Sequence, residues 1–348
     1  MKEKQNLFGL DVVTLQETLA PLNVQKFRAK QIAEWIYKKG ARSFDAMTNL
    51  SKALRATLAE QFIIATPKPQ DVLISKDGKT EKFLLAFADG TAVESVLMRQ
   101  PYGNSICIST QAGCAMGCAF CASTLHGRAR DLTAAEMLGE VYFIEEKLRG
   151  EDQHVDTMVL MGSGEPLMNY DNVLAFLHLV HDPAVLGMSY RSITLSTSGI
   201  VPNIYRLADE GLPVSLSISL HAPENELRST LMPINRKYPM ADVLAAGKAY
   251  GDKTKRRVTY EYILIDGVND SDQHARELAH LLRGQLASVN LIPINPVIER
   301  HLLRPSQERI ASFEQRLAKR GIAVTVRREM GTDINAACGQ LRNRHLET

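Results

Sequence analysis

The chain has 348 residues, 45% of them hydrophobic and 23% charged, a balance suited to one large α/β domain or to one with a small accessory domain. No apolar run approaches the ~18 residues of a membrane helix, and no apolar stretch follows Met1–Asn6, so the sequence predicts a cytoplasmic protein that neither carries a leader nor meets a membrane. The net charge of +2 does not announce nucleic acid, but residues 1–65 hold ten Lys/Arg against six Asp/Glu.

Residues 1–65 read as a helical module. Apolar residues at helical spacing predict helices over 14–19, 26–37 and 52–62, and Thr14 with Glu17 three residues on predicts a capped start. Phe27, Ile32, Trp35 and Ile36 are its expected core. Lys26, Arg28, Lys30, Lys38, Lys39 and Arg42 suggest an RNA-gripping face, with simple docking as the other reading. Residues 66–103 change character. Short strands over 71–75, 81–87 and 93–98, with turns at Asp77-Gly78 and Asp89-Gly90, predict a small antiparallel sheet bridging two domains.

From about residue 104 to 330 strands and helices alternate. Strands are expected over 105–110, 157–161, 192–197, 214–220, 258–265, 289–294 and 324–327. Helices are expected over 134–148, 172–181, 203–209, 241–250, 273–282 and 307–319. Alternating β and α units imply a parallel sheet, open or closed into a barrel. Residues 331–348 show no regular pattern. They hold Cys338 and read as a loop able to approach the barrel mouth.

Five cysteines in a chain expected to stay in a reducing compartment read as thiols, ligands or catalysts. Three of them, Cys114, Cys118 and Cys121, are spaced C-x3-C-x2-C. Three thiolates are one short of the usual complement of a four-iron cluster, which leaves an iron open to a ligand that is not protein. Structural zinc with His126 as fourth ligand is the alternative, although such sites usually pair two knuckles and the chain has no second one. Polar motifs follow the predicted strands: Gly162–Pro166, Ser196–Gly199, Ser219–His221 and Asn295-Pro296. Each alone is an ordinary turn or satisfied polar group. Parallel α/β folds gather their ligands at the carboxyl ends of strands, so together these motifs predict one pocket.

The cysteine triplet resembles that of the radical S-adenosylmethionine (SAM) superfamily. With Cys107, Gly164-Glu165-Pro166, Leu195–Gly199, Ser219–Pro223, Met232–Asn235 and Ala336–Leu341, the chain resembles the RlmN/Cfr family, which methylates adenosine in RNA. The likeness runs over nearly the whole chain and is weakest in residues 1–65. It implies a partial (β/α)6 barrel of the radical SAM type with an N-terminal helical accessory domain. It implies a [4Fe-4S] cluster on Cys114, Cys118 and Cys121, and SAM contacts from Gly164, Glu165, Ser196, Ser219, Leu220, His221 and Asn295.

The resemblance also implies a route that spends two SAM molecules per turnover. Cys338 accepts a methyl group from the first. The second gives the radical that activates that methyl for attack on the adenine ring. Glu94 matches the family's acid–base glutamate. Cys107 then attacks the sulfur of Cys338, forming a disulfide and freeing the RNA. The implied partners are 23S rRNA and tRNA, with flavodoxin or ferredoxin as electron donor and the enzyme as a monomer. Pro166 speaks for the RlmN branch and carbon 2. The alternatives are Cfr-type methylation of carbon 8 and a non-catalytic RNA-binding protein with a structural metal. Two positions depart from the family: Asn335 stands where Asp is common, and Ser163 where Met is usual.

Overall fold

The structure is a computed structural model that describes residues 4–341. The last part of the expected C-terminal loop, residues 342–348, lies outside the described residues.

The N-terminal region runs β1 (Gln5–Asn6), α1 (Val12–Leu19), α2 (Lys26–Ala33), a π-helical turn (Glu34–Lys38), α3 (Lys52–Gln61) and β2 (Phe62–Ile63). The first helix does not begin at Thr14. The Asp11 carboxylate accepts the Thr14 N–H at 2.7 Å, so Asp11 is the cap and the helix starts at Val12. The expected core is also corrected. Ala29, Ile32, Ala33 and Ile36 form the buried stripe, at the i, i+3, i+4, i+7 spacing of one helix face. Phe27 falls off that stripe and is 52% exposed, with the Arg28 guanidinium 4.7 Å above its ring. Trp35 is half-buried and donates its indole N–H to Asn49 Oδ1 at 2.6 Å. Nor does the region keep a core to itself. Phe8 and Tyr37 meet Tyr142 at ring separations of 5.6 Å, within one continuous apolar cluster.

Next come β3 (Lys68–Ile74), β4 (Thr80–Ala86), β5 (Ala92–Gln100), β6 (Gly103–Cys107), β7 (Gln111–Gly113), β8 (Arg128–Asp131) and α4 (Ala134–Arg149). The chain then alternates through β9 (Thr157–Leu160), α5 (Tyr170–His181), β10 (Ile193–Thr197), α6 (Val201–Asp209), β11 (Ser215–Ser219), α7 (Asn225–Leu231) and α8 (Met240–Thr254). It continues with β12 (Val258–Leu264), α9 (Asp272–Leu281), β13 (Ala287–Pro293), α10 (Gln307–Ala318) and β14 (Ala323–Val326). One ten-stranded sheet carries the order β14-β13-β12-β11-β10-β9-β6-β5-β4-β3. It is parallel from β14 to β6 and antiparallel from β6 to β3. The antiparallel strands thus bridge by extending the main sheet from β6. The α4 start is as its sequence suggests: Thr133 and Glu136 form a reciprocal capping box.

Three elements around the site escape the pattern of the sequence. β7 and β8 pair antiparallel and bracket the cysteine loop. They are short, and Gly113, the last residue of β7, sits at φ +75° with its Cα against the Gly127 carbonyl, where a Cβ would come within 2.0 Å. The α7 helix is hidden because its inward face carries a charge. Arg228 is fully buried there.

Candidate active site

The site is built at the carboxyl ends of the parallel strands. Arg228 does much of the building. It donates to the carbonyls of Ser198 at 2.7 Å, Ser219 at 2.9 Å and Leu220 at 3.2 Å, and to Asn235 Oδ1 at 2.7 Å. One buried guanidinium therefore closes the ends of β10 and β11 onto α7, as a fork of five donors allows. Burial lowers it to about 10. Glu165 performs the matching task for β9. Its carboxylate accepts the Ser198 N–H at 2.6 Å and the Leu167 N–H at 3.0 Å, while burial pushes it up from its ordinary range.

A pocket of about 150 Å³ opens between these ends and the cysteine loop. It is lined by Cys114, Cys118, Cys121, Gly164, Glu165, Ser196, Ser219 and Cys338, among others. Gly164 sits at φ +105°, and a Cβ there would come within 2.6 Å of the Gln111 side chain. Burial pushes the Cys114 thiol up to about 12 and those of Cys118 and Cys121 upward as well. Such thiols ionise only against a strongly positive partner. Cys114, Cys118 and Cys121 all line this one pocket, and three soft thiols are the donor set of an iron–sulfur cluster that leaves one iron to another ligand.

Leu220 and His221, expected to touch SAM, lie outside this lining. Leu220 is fully buried. His221 Nδ1 accepts the Ile263 N–H at 3.0 Å, and its ring lies edge-on to Phe120 at 4.7 Å. Burial, helped by Arg228, drops it to about 3, so it is a neutral strut of the core.

A second cavity of about 370 Å³ adjoins the first. Cys107, Cys338, Asn295, Arg327, Tyr102 and Met161 are among its lining. Cys338 and Met161 belong to both spaces, so Cys338 stands between them. Asn295 Nδ2 donates to the Cys338 carbonyl at 3.1 Å, and its buried Oδ1 has no partner, as an amide kept for a ligand would be. Burial pushes Cys107 up to about 12; the neighbouring Arg327 pulls the other way. The nearness of Cys338 in turn raises Arg327. Asn335 adopts φ +51°, a left-handed conformation that Asn tolerates. It is anchored through its backbone carbonyl, so an amide in place of Asp leaves that contact intact.

Glu94 lies in neither lining. It is buried beside Lys82, Nζ to Oε1 2.9 Å. Lys82, Arg228 and Arg327 were not singled out from the sequence, where a lone cation in a strand or helix reads as a solvated position. No local signal distinguishes them.

A ten-stranded mixed sheet with a three-cysteine loop after its first parallel strand defines a radical SAM enzyme. The radical SAM superfamily model matches residues 108–279, and the ribosomal RNA large subunit methyltransferase N-terminal domain matches residues 5–64. The chain is 54% identical over 342 residues to the probable dual-specificity RNA methyltransferase RlmN of Symbiobacterium thermophilum, covering 98% of this chain and 92% of the relative. It is 48% identical over 348 residues to that of Staphylococcus aureus, covering 99% and 95%. The crystal structure of a radical SAM methyltransferase from Sphaerobacter thermophilus superposes with a TM-score of 0.94 at 47% identity, over 97% of this chain and 99% of that one. The chain belongs to the RlmN family of radical SAM RNA methyltransferases. Its superfamily implies a [4Fe-4S] cluster and SAM.

Proposed function

We propose that this enzyme methylates carbon 2 of an adenosine in 23S rRNA and in tRNA, with Cys338 as carrier of the transferred carbon. The observation that supports it most is the position of Cys338, between the pocket of the three cysteines and the cavity of Cys107. A thiol there can take a methyl group from one side and present it on the other. The relatives' dual specificity and the match of residues 5–64 support the two RNA classes. Pro166, buried at the first position of the turn that Glu165 caps, supports carbon 2.

Cys114, Cys118 and Cys121 would hold the cluster, which when bound supplies the single electron for reductive cleavage of SAM. Gly164, Glu165, Ser196 and Ser219 are the pocket groups for SAM, with Asn295 reaching it from the adjoining cavity; Leu220 and His221, whose backbone groups bond within the protein, support the strand end beneath it. Cys338 thiolate displaces the methyl group of one SAM, forming its S–CH3 bond as the sulfonium bond breaks and S-adenosylhomocysteine leaves. A second SAM is consumed in activating that methyl group. Enzyme and RNA are then joined through one carbon. Glu94 takes the ring proton, and Cys107 thiolate attacks the Cys338 sulfur: an S–S bond forms as the S–C bond breaks, the freed carbon takes a proton to become the methyl group of the RNA, and an external thiol reductant then reopens the disulfide. Residues 1–65 grip RNA, 66–103 bridge, 104–330 form the SAM-binding barrel and 331–348 deliver Cys338. The enzyme works as a monomer in the cytoplasm with flavodoxin or ferredoxin as donor; among the described residues no helix is long and apolar enough to cross a membrane.

Mass spectrometry of nucleosides from a deletion strain tests this reading. Loss of 2-methyladenosine from rRNA and tRNA is the expected result. Loss of 8-methyladenosine instead would assign the carbon-8 activity.

A further inference from the structure

Lys82 lies inside β4, where the register of the antiparallel strands sets its surroundings. It stands opposite Val96 of β5, and Val96 stands opposite Cys107 of β6. Glu94 is two residues before Val96. Residues opposite one another across a ladder, or two apart along a strand, share a face. Lys82, Glu94, Val96 and Cys107 therefore lie on one face. Val96 and Cys107 pack there against Ala336 and Leu341 of the Cys338 loop.

Lys82 Nζ makes two contacts on that face. It meets Glu94 Oε1 at 2.9 Å, with both side chains 3% exposed. It also donates to the Asn335 carbonyl at 3.1 Å, three residues before Cys338. The same hairpin holds the loop twice more. The Lys76 N–H donates to Asp333 Oδ2 at 2.9 Å, and Gly331 packs so closely on Thr80 that a Cβ would come within 2.6 Å of its methyl carbon. A buried ion pair is unforgiving, because removing one partner leaves the other charge out of water without compensation. Among these contacts only Lys82 joins a buried carboxylate to the loop backbone.

We infer that Lys82 is a positioning residue of the methyl transfer: it aims the Glu94 carboxylate and ties it to the backbone of the Cys338 loop, so that proton acceptor and carbon carrier hold one geometry. This rests on the reading that Glu94 takes the ring proton. In that step the ring C–H bond breaks, its electron pair stays on the ring, and the proton passes to a Glu94 oxygen. Lys82 lines neither cavity. Without it the carboxylate loses its aim while methylation of Cys338, on the other side of the loop, continues.

The test uses the full-length, cluster-loaded enzyme under anaerobic conditions with SAM, a chemical reductant and an RNA hairpin deuterated at the reacting adenine carbon. Lys82→Met should methylate Cys338 to the wild-type extent. Its turnover should fall at least about tenfold, a part of the roughly 10²–10⁴-fold that a positioned proton acceptor contributes. RNA covalently joined to Cys338 should accumulate, and turnover should acquire a deuterium isotope effect absent from wild type. A merely structural loss would create no isotope effect. Lys82→Gln stays polar but is uncharged and one bond shorter, so it does not hold both oxygens at once; it serves where the Met variant does not fold and should behave the same way. Turnover near the wild-type rate in either folded variant, or slowing without trapped RNA and without an isotope effect, overturns the inference. The double variant Lys82→Met/Glu94→Gln leaves no buried charge and separates the two claims. If it turns over normally, the reading of Glu94 fails. If it traps RNA while Lys82→Met alone is normal, only the role of Lys82 fails.

Discussion

The backbone N–H of Ala122 donates to the carbonyl of Gly339 at 2.7 Å, so the residue after the third clustered cysteine is tied to the residue after Cys338. The neighbouring Ser123 hydroxyl adds a bond to the Leu341 carbonyl at 2.8 Å. On its other side the loop is held by Asn295 and by Gln340, whose Nε2 donates to the Pro296 carbonyl at 3.1 Å. Cys338 is thus fixed against the loop of Cys114, Cys118 and Cys121.

Loosening that tie should slow the first methyl transfer. Ser123→Ala leaves the buried Leu341 carbonyl without its donor, a loss of roughly 1–2 kcal/mol. Stability should fall by about that much in denaturant titration. Methylation of Cys338, followed by peptide mass spectrometry with SAM alone, should slow several-fold with iron content unchanged. Wild-type kinetics would show that the Ala122–Gly339 bond suffices.

The two lone cysteines should give opposite phenotypes. Cys338→Ala should keep its cluster and make no methylated RNA. Cys107→Ala should still methylate Cys338, join it to RNA and then stall, leaving RNA that survives denaturation. The double variant should carry none. Normal turnover by Cys107→Ala, with no trapped RNA on a denaturing gel, would remove the disulfide-release step.

Metal content is the third expectation. Anaerobically purified protein should be brown and hold about four irons per chain, the content of a cubane cluster. Cys118→Ala, which removes a buried thiol from the pocket, should bleach it. Stoichiometric zinc with no iron after reconstitution would contradict the assignment of Cys114, Cys118 and Cys121.

Glu140 gives the enzyme an alkaline weakness. Its carboxyl is buried, accepts the Ser95 hydroxyl at 2.5 Å and the Ser109 N–H at 3.0 Å, and is pushed by burial from 4.5 up to about 8. The folded state therefore binds this proton more tightly than the unfolded chain. The resulting stability is complete below about pH 4.5 and is lost as pH rises through about 8. At about 1.4 kcal/mol per unit, the loss is on the order of 4–5 kcal/mol. Glu140→Gln can accept both bonds through its amide oxygen and has no proton to lose. Its melting temperature should stay flatter than wild type between pH 6 and 9, as calorimetry across about that range would show.

The basic N-terminal face should act through phosphates. Lys26 and Lys30 are exposed on either side of the Phe27–Arg28 pair. Changing Lys26, Arg28 and Lys30 together to Gln should weaken RNA binding about tenfold or more and flatten its dependence on salt, because fewer counterions are released. SAM cleavage without RNA should not change. Unaltered affinity would assign this region to docking.

The sequence by itself determined the cofactor chemistry and the order of the fold. Cys114, Cys118 and Cys121 are close in the chain, so their convergence needs only a short loop. The β/α alternation follows from apolar periodicity, which burial on a sheet imposes residue by residue. Tertiary structure alone decided the rest. Phe27 is apolar yet exposed because helical phase, not hydrophobicity, selects the buried face. His221 lies in a site-like motif yet props up β12, because a ring in that place finds the Ile263 N–H and Phe120 rather than the pocket. Arg228 and Lys82 look like solvent-facing cations in sequence. They are buried because carbonyls and a carboxylate distant in the chain converge on them, and convergence over such distances is written only in the packing.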